Sequence, residues 1–354
     1  MNRKEYFATD AISRSLLMEL RKHPLLAKKM IEFGMTEESD ALRLGDAFDC
    51  MMFDCQEIVD ERFYIMQLTN PHTNGATNLG KFMNVCIDNI QGIVIDQISY
   101  SDLYSFAYDE VGIKNPKKDT FIEEFTNSIG ERYLNEYGKS IGKIVLEREE
   151  HDKLVLMQRI LRSDPNFGKY FVNDLVKNQM RYKISEHEEV IYQLVVLWDD
   201  CKVMLDIVYI NHDTKTIKPI DLKTTSVKNH DVQPTIIKYD YIYQAGMYHL
   251  GVSNWRDNNY PDYTVSNFSF IFAEKSVTFA PIEMEVSNND LNASIHGGID
   301  KLGDYQRGIL TLIEHLKWHQ EHDKWEYTRV AYGFNGTIIS NIFNEFYYEI
   351  DVLE

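Results

Sequence analysis

Apolar positions follow two regimes along the chain. From residue 10 to about 178 they recur mostly every three or four residues, the period of a helix face; from 179 to 222 they alternate or run almost unbroken, as strands do. Residues 10–34 predict a helix with Leu16, Leu17 and Leu20 on its apolar side, Asp10 or Ser13 as N-cap, and Leu25, Leu26 and Met30 continuing beyond a break at Pro24. A second helix is expected over 40–54, a short strand over 62–68 and a loop over 70–75, followed by helices over 79–90, 101–111, 121–136 and 141–161. Strands are then expected at 179–185, 190–198, 203–210 and 216–222, a helix at 241–250, a strand pair at 265–274 and 278–285, and a long helix at 291–318. Residues 341–353 alternate apolar and polar and read as an edge strand or an interface segment. Strands flanked by helices in this order imply an α/β fold with a mixed central sheet.

Two carboxylates interrupt the strand regime. Asp206 ends the run Lys202-Val203-Met204-Leu205-Asp206, and Asp221 follows fifteen residues later in Asp221-Leu222-Lys223-Thr224-Thr225, across the polar turn 211–215. An aspartate in an apolar strand opposes burial, so two of them on facing strands need a reason. Residues i and i+2 of a strand share a face, which sets Asp221 and Lys223 together beside Asp206. Two carboxylates with the Leu222 carbonyl suit a hard divalent cation such as Mg²⁺, with Mn²⁺ as a substitute. A lysine beside that ion is placed to position or activate a water, as in metal-assisted phosphodiester hydrolysis.

The order Asp206, Asp221-x-Lys223 on paired strands resembles the PD-(D/E)XK nuclease superfamily. Gln244-Ala245-Gly246-Met247-Tyr248 matches the Gln-x-x-x-Tyr signature of its RecB-like branch, and Leu44-Gly45-Asp46-Ala47-Phe48-Asp49 is similar to that branch's first motif. The stretch from Ile12-Ser13-Arg14-Ser15-Leu16 to His23-Pro24 resembles the opening helix of exonuclease VIII type phage and prophage enzymes. The resemblance implies a restriction-endonuclease-like core and a Mg²⁺-dependent DNA exonuclease of phage-type recombination. It makes Asp49 a further metal ligand, in the place usually held by His, and sets Gln244 and Tyr248 against the substrate near the scissile phosphate. It also implies double-stranded DNA with free ends as substrate, a single-strand annealing protein as partner and a homo-oligomeric ring. A structure-specific endonuclease on the same fold, and a nuclease-fold module that binds nucleic acid or protein without cutting, are the alternatives.

Each motif has a plainer reading. Asp-x-Lys on a hairpin is commonly a surface ion pair; Asp46, Asp49 and Asp54 also fit the wet side of a helix whose other side is Leu44, Phe48, Met51 and Met52; and Gln244 with Tyr248, one turn apart, fit a half-buried helix face. Their conjunction in one order favours the nuclease.

Composition narrows the field further. With 354 residues and 44% apolar content the chain can bury a substantial core. The division expected is 1–55 with the first motif, a mostly helical insertion at 56–178, a catalytic core at 179–290 and a C-terminal helix and tail at 291–354. Cys50, Cys55, Cys86 and Cys201 show no C-x-x-C spacing, which argues against zinc or iron–sulfur chemistry and for reduced, buried thiols. His315 and His319 read as part of an ordinary amphipathic helix. No nucleotide-binding glycine loop is present, and the absence of a signal peptide or a long apolar span implies a cytoplasmic protein with no membrane partner. A formal charge of −18 cuts against a simple nucleic-acid binder, because phosphate neutralisation supplies most non-specific affinity. Local basic groups, Arg21, Lys22, Lys28 and Lys29 on the first helix and Lys215, Lys218, Lys223 and Lys228 around the hairpin, leave room for a basic channel in an acidic body.

Overall fold

The computed structural model describes residues 3–34, 39–91, 99–228, 231–276, 278, 280–300 and 303–333; the alternating tail at 341–353 lies outside them. The chain divides into two compact units, Met1–Ser39 with Arg159–Glu354, and Asp40–Gln158. The boundaries therefore fall at 39/40 and 158/159, and the segment carrying Leu44 to Asp49 belongs to the second unit.

The first unit opens with α1 (Arg3–Ala8), α2 (Arg14–Lys22) and α3 (Pro24–Phe33). Ser13 caps α2 by accepting from the Leu16 N–H, and Pro24 starts α3 because a first-turn residue needs no N–H partner.

The second unit contains α4 (Asp40–Phe53), α5 (Gln56–Arg62), β1 (Phe63–Ile65), α6 (Asn78–Gln91), α7 (Tyr100–Val111), α8 (Lys118–Thr126), α9 (Ile129–Tyr137) and β2 (Ile144–Leu146), and α10 (Arg148–Ser163) leads out of it. The single helix expected over 121–136 is two helices. Ser128 accepts from the Gly130 and Glu131 N–H groups and so caps a new one, and a Cβ at Gly130 would come within 2.8 Å of the Phe125 ring. The expected helix at 141–161 begins only at Arg148, because residues 144–146 pair in parallel with β1. Its core is aromatic: Phe82 and Tyr104 each meet Phe125, at 4.8 and 5.1 Å between ring centres.

Returning to the first unit, the chain builds β3 (Arg181–Lys183), β4 (Glu188–Trp198), β5 (Cys201–Asn211) and β6 (Thr216–Thr225), then α11 (Val232–Lys238), α12 (Tyr241–Asn259), β7 (Thr264–Val265), β8 (Ser269–Glu274) and β9 (Ile282–Glu285). The sheet runs β3-β4-β5-β6-β8-β9, with β7 also pairing β6. β4, β5 and β6 form an antiparallel meander; β8 returns parallel to β6 after the helical crossing. This is a mixed central sheet flanked by helices. All six residues of β8 are buried, as a strand covered on both faces requires. Gly251 lets α12 lie close on the sheet, since a Cβ there would meet Val203 at 2.5 Å.

The long helix expected over 291–318 is interrupted. α13 (Asn288–His296) ends at Gly297, whose φ of +93° is open to glycine and strained for other residues. A short hairpin of β10 (Gly298–Ile299) and β11 (Tyr305–Gln306) follows, then α14 (Ile309–His322) and α15 (Arg329–Gly333). His315 and His319 are on the buried side of α14, and His319 stacks on Trp325 at 5.4 Å. Cys50, Cys86 and Cys201 are buried free thiols and Cys55 is half-buried. Among the described residues no helix is long and apolar enough to cross a membrane.

Candidate active site

β5 and β6 are hydrogen-bonded from Asn211 and Thr216 to Ile207 and Ile220, and there the ladder stops. The next positions in register are Asp206 and Asp221. Beyond them β6 stays with β8 as far as Thr225, and β5 stays with β4 as far as Cys201. The N-terminal segment joins β5 at that end: the Ile12 N–H donates to the Asp200 carbonyl at 2.7 Å and the Lys202 N–H to the Ile12 carbonyl at 2.8 Å. The strands thus fork at the two aspartates, with α2 starting nearby.

The fork exposes main-chain groups that a continuous ladder would have consumed. The Leu222 N–H donates to Asp206 Oδ2 at 2.9 Å in place of a strand partner. In an extended strand a residue's N–H and C=O point to the same edge, so the Leu222 carbonyl opens on the same fork.

Asp221 is buried, with 2% of its surface exposed. The Gln244 side-chain amide donates to its Oδ1 at 2.6 Å, and the Lys223 ammonium lies 2.6 Å from its Oδ2. That second contact is an ion pair poorly aligned for a hydrogen bond, which leaves Oδ2 a buried acceptor without an aligned donor. Burial by itself would lower the Lys223 ammonium, but the charges of Asp221, Asp206 and Tyr241 outweigh it and push the group up. Lys223 is therefore a cation at neutral pH, and it also lies 5.1 Å over the Tyr241 ring. The Tyr248 hydroxyl is pushed well above its ordinary value by lost hydration, then by Tyr6, Asp221 and Asp206, so it is a neutral donor within electrostatic reach of both carboxylates.

Helix α12 supplies this side of the site. Tyr241, Gln244 and Tyr248 recur at three- and four-residue spacing and so share a face. A Cβ at Gly246 would meet the Ser294 hydroxyl at 2.3 Å, so this glycine also lets α12 and α13 close together.

Of the residues singled out in the sequence, the fold gathers Asp206, Asp221, Leu222, Lys223 and Gln244, with Tyr248 close by. Gln244 is turned onto Asp221, so it orients a carboxylate. Asp49 lies half-buried on α4 in the second unit, among the buried positions Ala47, Phe48 and Cys50.

Two further residues belong here. Tyr241 was legible as the third member of the Gln244/Tyr248 face. Arg14 was not, because its contacts are tertiary: Nη2 donates to the carbonyls of Tyr239 at 2.6 Å and Asp240 at 3.0 Å, while Nε is buried without a hydrogen-bond partner. Lost hydration lowers the Arg14 guanidinium, against the opposing influence of Tyr248, Asp240, Tyr241 and Asp221.

The donors fit a hard divalent cation in kind: carboxylate oxygens, one of them a buried acceptor lacking an aligned donor, and a main-chain carbonyl on the same fork. Among the described residues no group of three or more His, Cys, Asp or Glu side chains is placed to hold a metal, so an ion here would keep part of its water shell.

No family model and no curated relative matches the chain. Among solved structures, a "Putative exonuclease" from Eubacterium rectale is similar over 79% of this chain and 97% of its own, at 13% identity and a TM-score of 0.31. At that distance the likeness says nothing of chemistry.

Proposed function

We propose that the chain is a metal-dependent deoxyribonuclease of the exonuclease type, built on a restriction-endonuclease-like core. One observation carries the reading: the β5–β6 ladder opens at Asp206 and Asp221, with Lys223 and Gln244 both on Asp221. A meander, a helical crossing and a parallel return strand support the core assignment.

Asp206, Asp221 and the Leu222 carbonyl would hold Mg²⁺ or Mn²⁺. Bound there, the ion supplies Lewis-acid stabilisation of the phosphate and a water acidic enough to attack it. The protein's own groups do the rest. Gln244 fixes the Asp221 carboxylate in one orientation, as partners of metal-ligating carboxylates do. Lys223, protonated, positions the attacking water by donating to it and offsets charge that develops on the phosphate oxygens. Tyr248 and Arg14 present a neutral and a charged donor to the substrate backbone. Asp49 enters this proposal as the further ligand that the family resemblance implies. Double-stranded DNA with free ends, a ring of like subunits, an annealing partner protein and a role in phage-type recombination follow from the same resemblance.

The test is degradation of linear and of covalently closed DNA by the purified protein with Mg²⁺ or Mn²⁺, using Asp221→Ala as control. Loss of linear DNA alone is the expected result. Cutting of the circle would make the protein an endonuclease, and no hydrolysis with either metal would favour a binding module.

A further inference from the structure

Between β6 and α12 the chain makes a turn at Tyr239 and Asp240 that is held more firmly than its exposure warrants. Asp240 sits at φ +53°, a left-handed conformation that costs a non-glycine residue energy unless its surroundings enforce it. Two arginines do so: Arg14 donates to the carbonyls of Tyr239 and Asp240, and Arg21 pairs with the Asp240 carboxylate at 2.9 Å. The turn carries Tyr239 outward, 50% exposed, beside Ile237 at 72%.

Tyr239 is the outer member of an aromatic stack that leads to the fork. It lies against Tyr241 at 5.7 Å and 28° between planes, and Tyr241 lies against Phe270 of β8 at 5.6 Å and 27°. The Lys223 ammonium is over the middle ring, and the exposed Lys238 ammonium is 5.1 Å from the Tyr239 ring centre. A tyrosine serving only to cover the core would be buried. This one is presented to solvent on a braced turn, one ring away from the lysine that faces the carboxylates, with a flexible cation over its ring.

We propose that Tyr239 is a stacking platform for an unpaired nucleobase, that of the nucleotide at the DNA end whose phosphate meets Lys223 and the cation that Asp206 and Asp221 would hold. Lys238 leaves the ring as the base arrives and pairs with an adjacent phosphate. The inference rests on the nuclease reading and adds a substrate state to it: the end must be frayed or single-stranded to engage. Tyr239 is thus a positioning residue, and it needs its ring but not its hydroxyl.

The experiment is a cycle of protein and substrate changes, read as affinity by fluorescence anisotropy with Ca²⁺ in place of Mg²⁺, so that the acids carry a hard cation, and with gel electrophoresis showing the strands uncut. The probes are short single-stranded oligonucleotides, intact or with an abasic nucleotide at the 5′ or the 3′ end. Tyr239→Ala should weaken binding of the intact strand on the order of 5- to 150-fold, the value of one base–aromatic stack. Tyr239→Phe and Tyr239→Trp should bind as the native protein does. One of the two abasic strands should bind the native protein as weakly as the intact strand binds Tyr239→Ala, with no further loss when both changes are combined. Independent, additive losses, or equal weakening by Phe, Trp and Ala, would overturn the platform and mark Tyr239 as structural. If native and Tyr239→Ala proteins bind alike while the native protein still degrades linear DNA, the platform falls and the nuclease reading stands. If the cycle closes as expected but no DNA is cut, the platform stands and the hydrolytic reading falls.

Discussion

Near each end of the β5–β6 hairpin a carboxylate is buried, and its surroundings treat it differently. Beside the turn end Glu189, on the neighbouring strand β4, accepts from the Tyr260 hydroxyl at 3.1 Å and has His212 Nε2 at 3.4 Å and Arg181 Nε at 3.7 Å as ion-pair neighbours, and the strand ladder there is complete. At the other end the ladder parts, and Asp221 has one aligned donor, one misaligned ammonium and an open main-chain carbonyl alongside. A buried carboxylate where the ladder is unbroken stabilises the fold. One where the ladder parts leaves main-chain groups beside it to spare, which is the arrangement the proposed metal site needs. The difference separates a structural buried acid from a site more clearly than burial does, since both are under 9% exposed.

The largest expected effect breaks the two ends apart. Asp221→Ala should lower hydrolysis by about three orders of magnitude or more, the several kcal/mol a bound ion contributes to the transition state, with the fold retained. Glu189→Ala should do the reverse, costing about 1 kcal/mol of stability as the Tyr260 hydroxyl loses its acceptor, with hydrolysis unchanged. DNA degradation and urea midpoints on both variants decide it, and an active Asp221→Ala protein would sink the assignment of the fork.

Lys223→Met comes next. Its kcat should fall by about 10²- to 10³-fold, the worth of one preorganised donor to developing charge, while calorimetric Mn²⁺ affinity stays near native. Equal loss of both would mean that the lysine shapes the metal site instead. Gln244→Ala should be milder, weakening metal affinity by about 10- to 100-fold through a poorly held Asp221. An unaltered affinity would leave Gln244 as packing.

His315, at neither end of the hairpin, sets the scale of background pH sensitivity. Burial, then the charges of Arg307 and Arg329, press its imidazole down to about 4. The unfolded chain, with an ordinary histidine near 6.5, therefore binds more protons between those two values, so the stability this residue contributes is present above about 6.5 and lost as pH falls toward 4. At pH 5 the loss should be roughly 2 kcal/mol, and His315→Gln should remove most of it from the difference in unfolding free energy between pH 7 and pH 5. An unchanged pH difference would show that His315 is solvated in the folded state.

Much of the site was legible because its members are close in sequence or fixed by period. Asp221, Leu222 and Lys223 are consecutive, Asp206 is one hairpin away, and Tyr241, Gln244 and Tyr248 share a helix face by spacing alone. The misplaced elements failed where a local signal was out-competed by contact. Apolar periodicity ran straight through Ser128, and it ran through Gly297, where a positive φ open to glycine and a short hairpin end the helix.

Strand and helix periods follow from the chain's own stereochemistry, so they were enough to set two acidic residues and a lysine on adjoining strands of a mixed α/β sheet. Contacts made on folding set the rest: the opening of the ladder at those acids, the turn of Gln244 onto Asp221, and the reach of Arg14 to the turn displaying Tyr239. Each of those depends on how elements distant in sequence meet, through close approach at Gly246 and Gly251 and hydrogen bonds to main-chain groups, and neither leaves a period in the sequence.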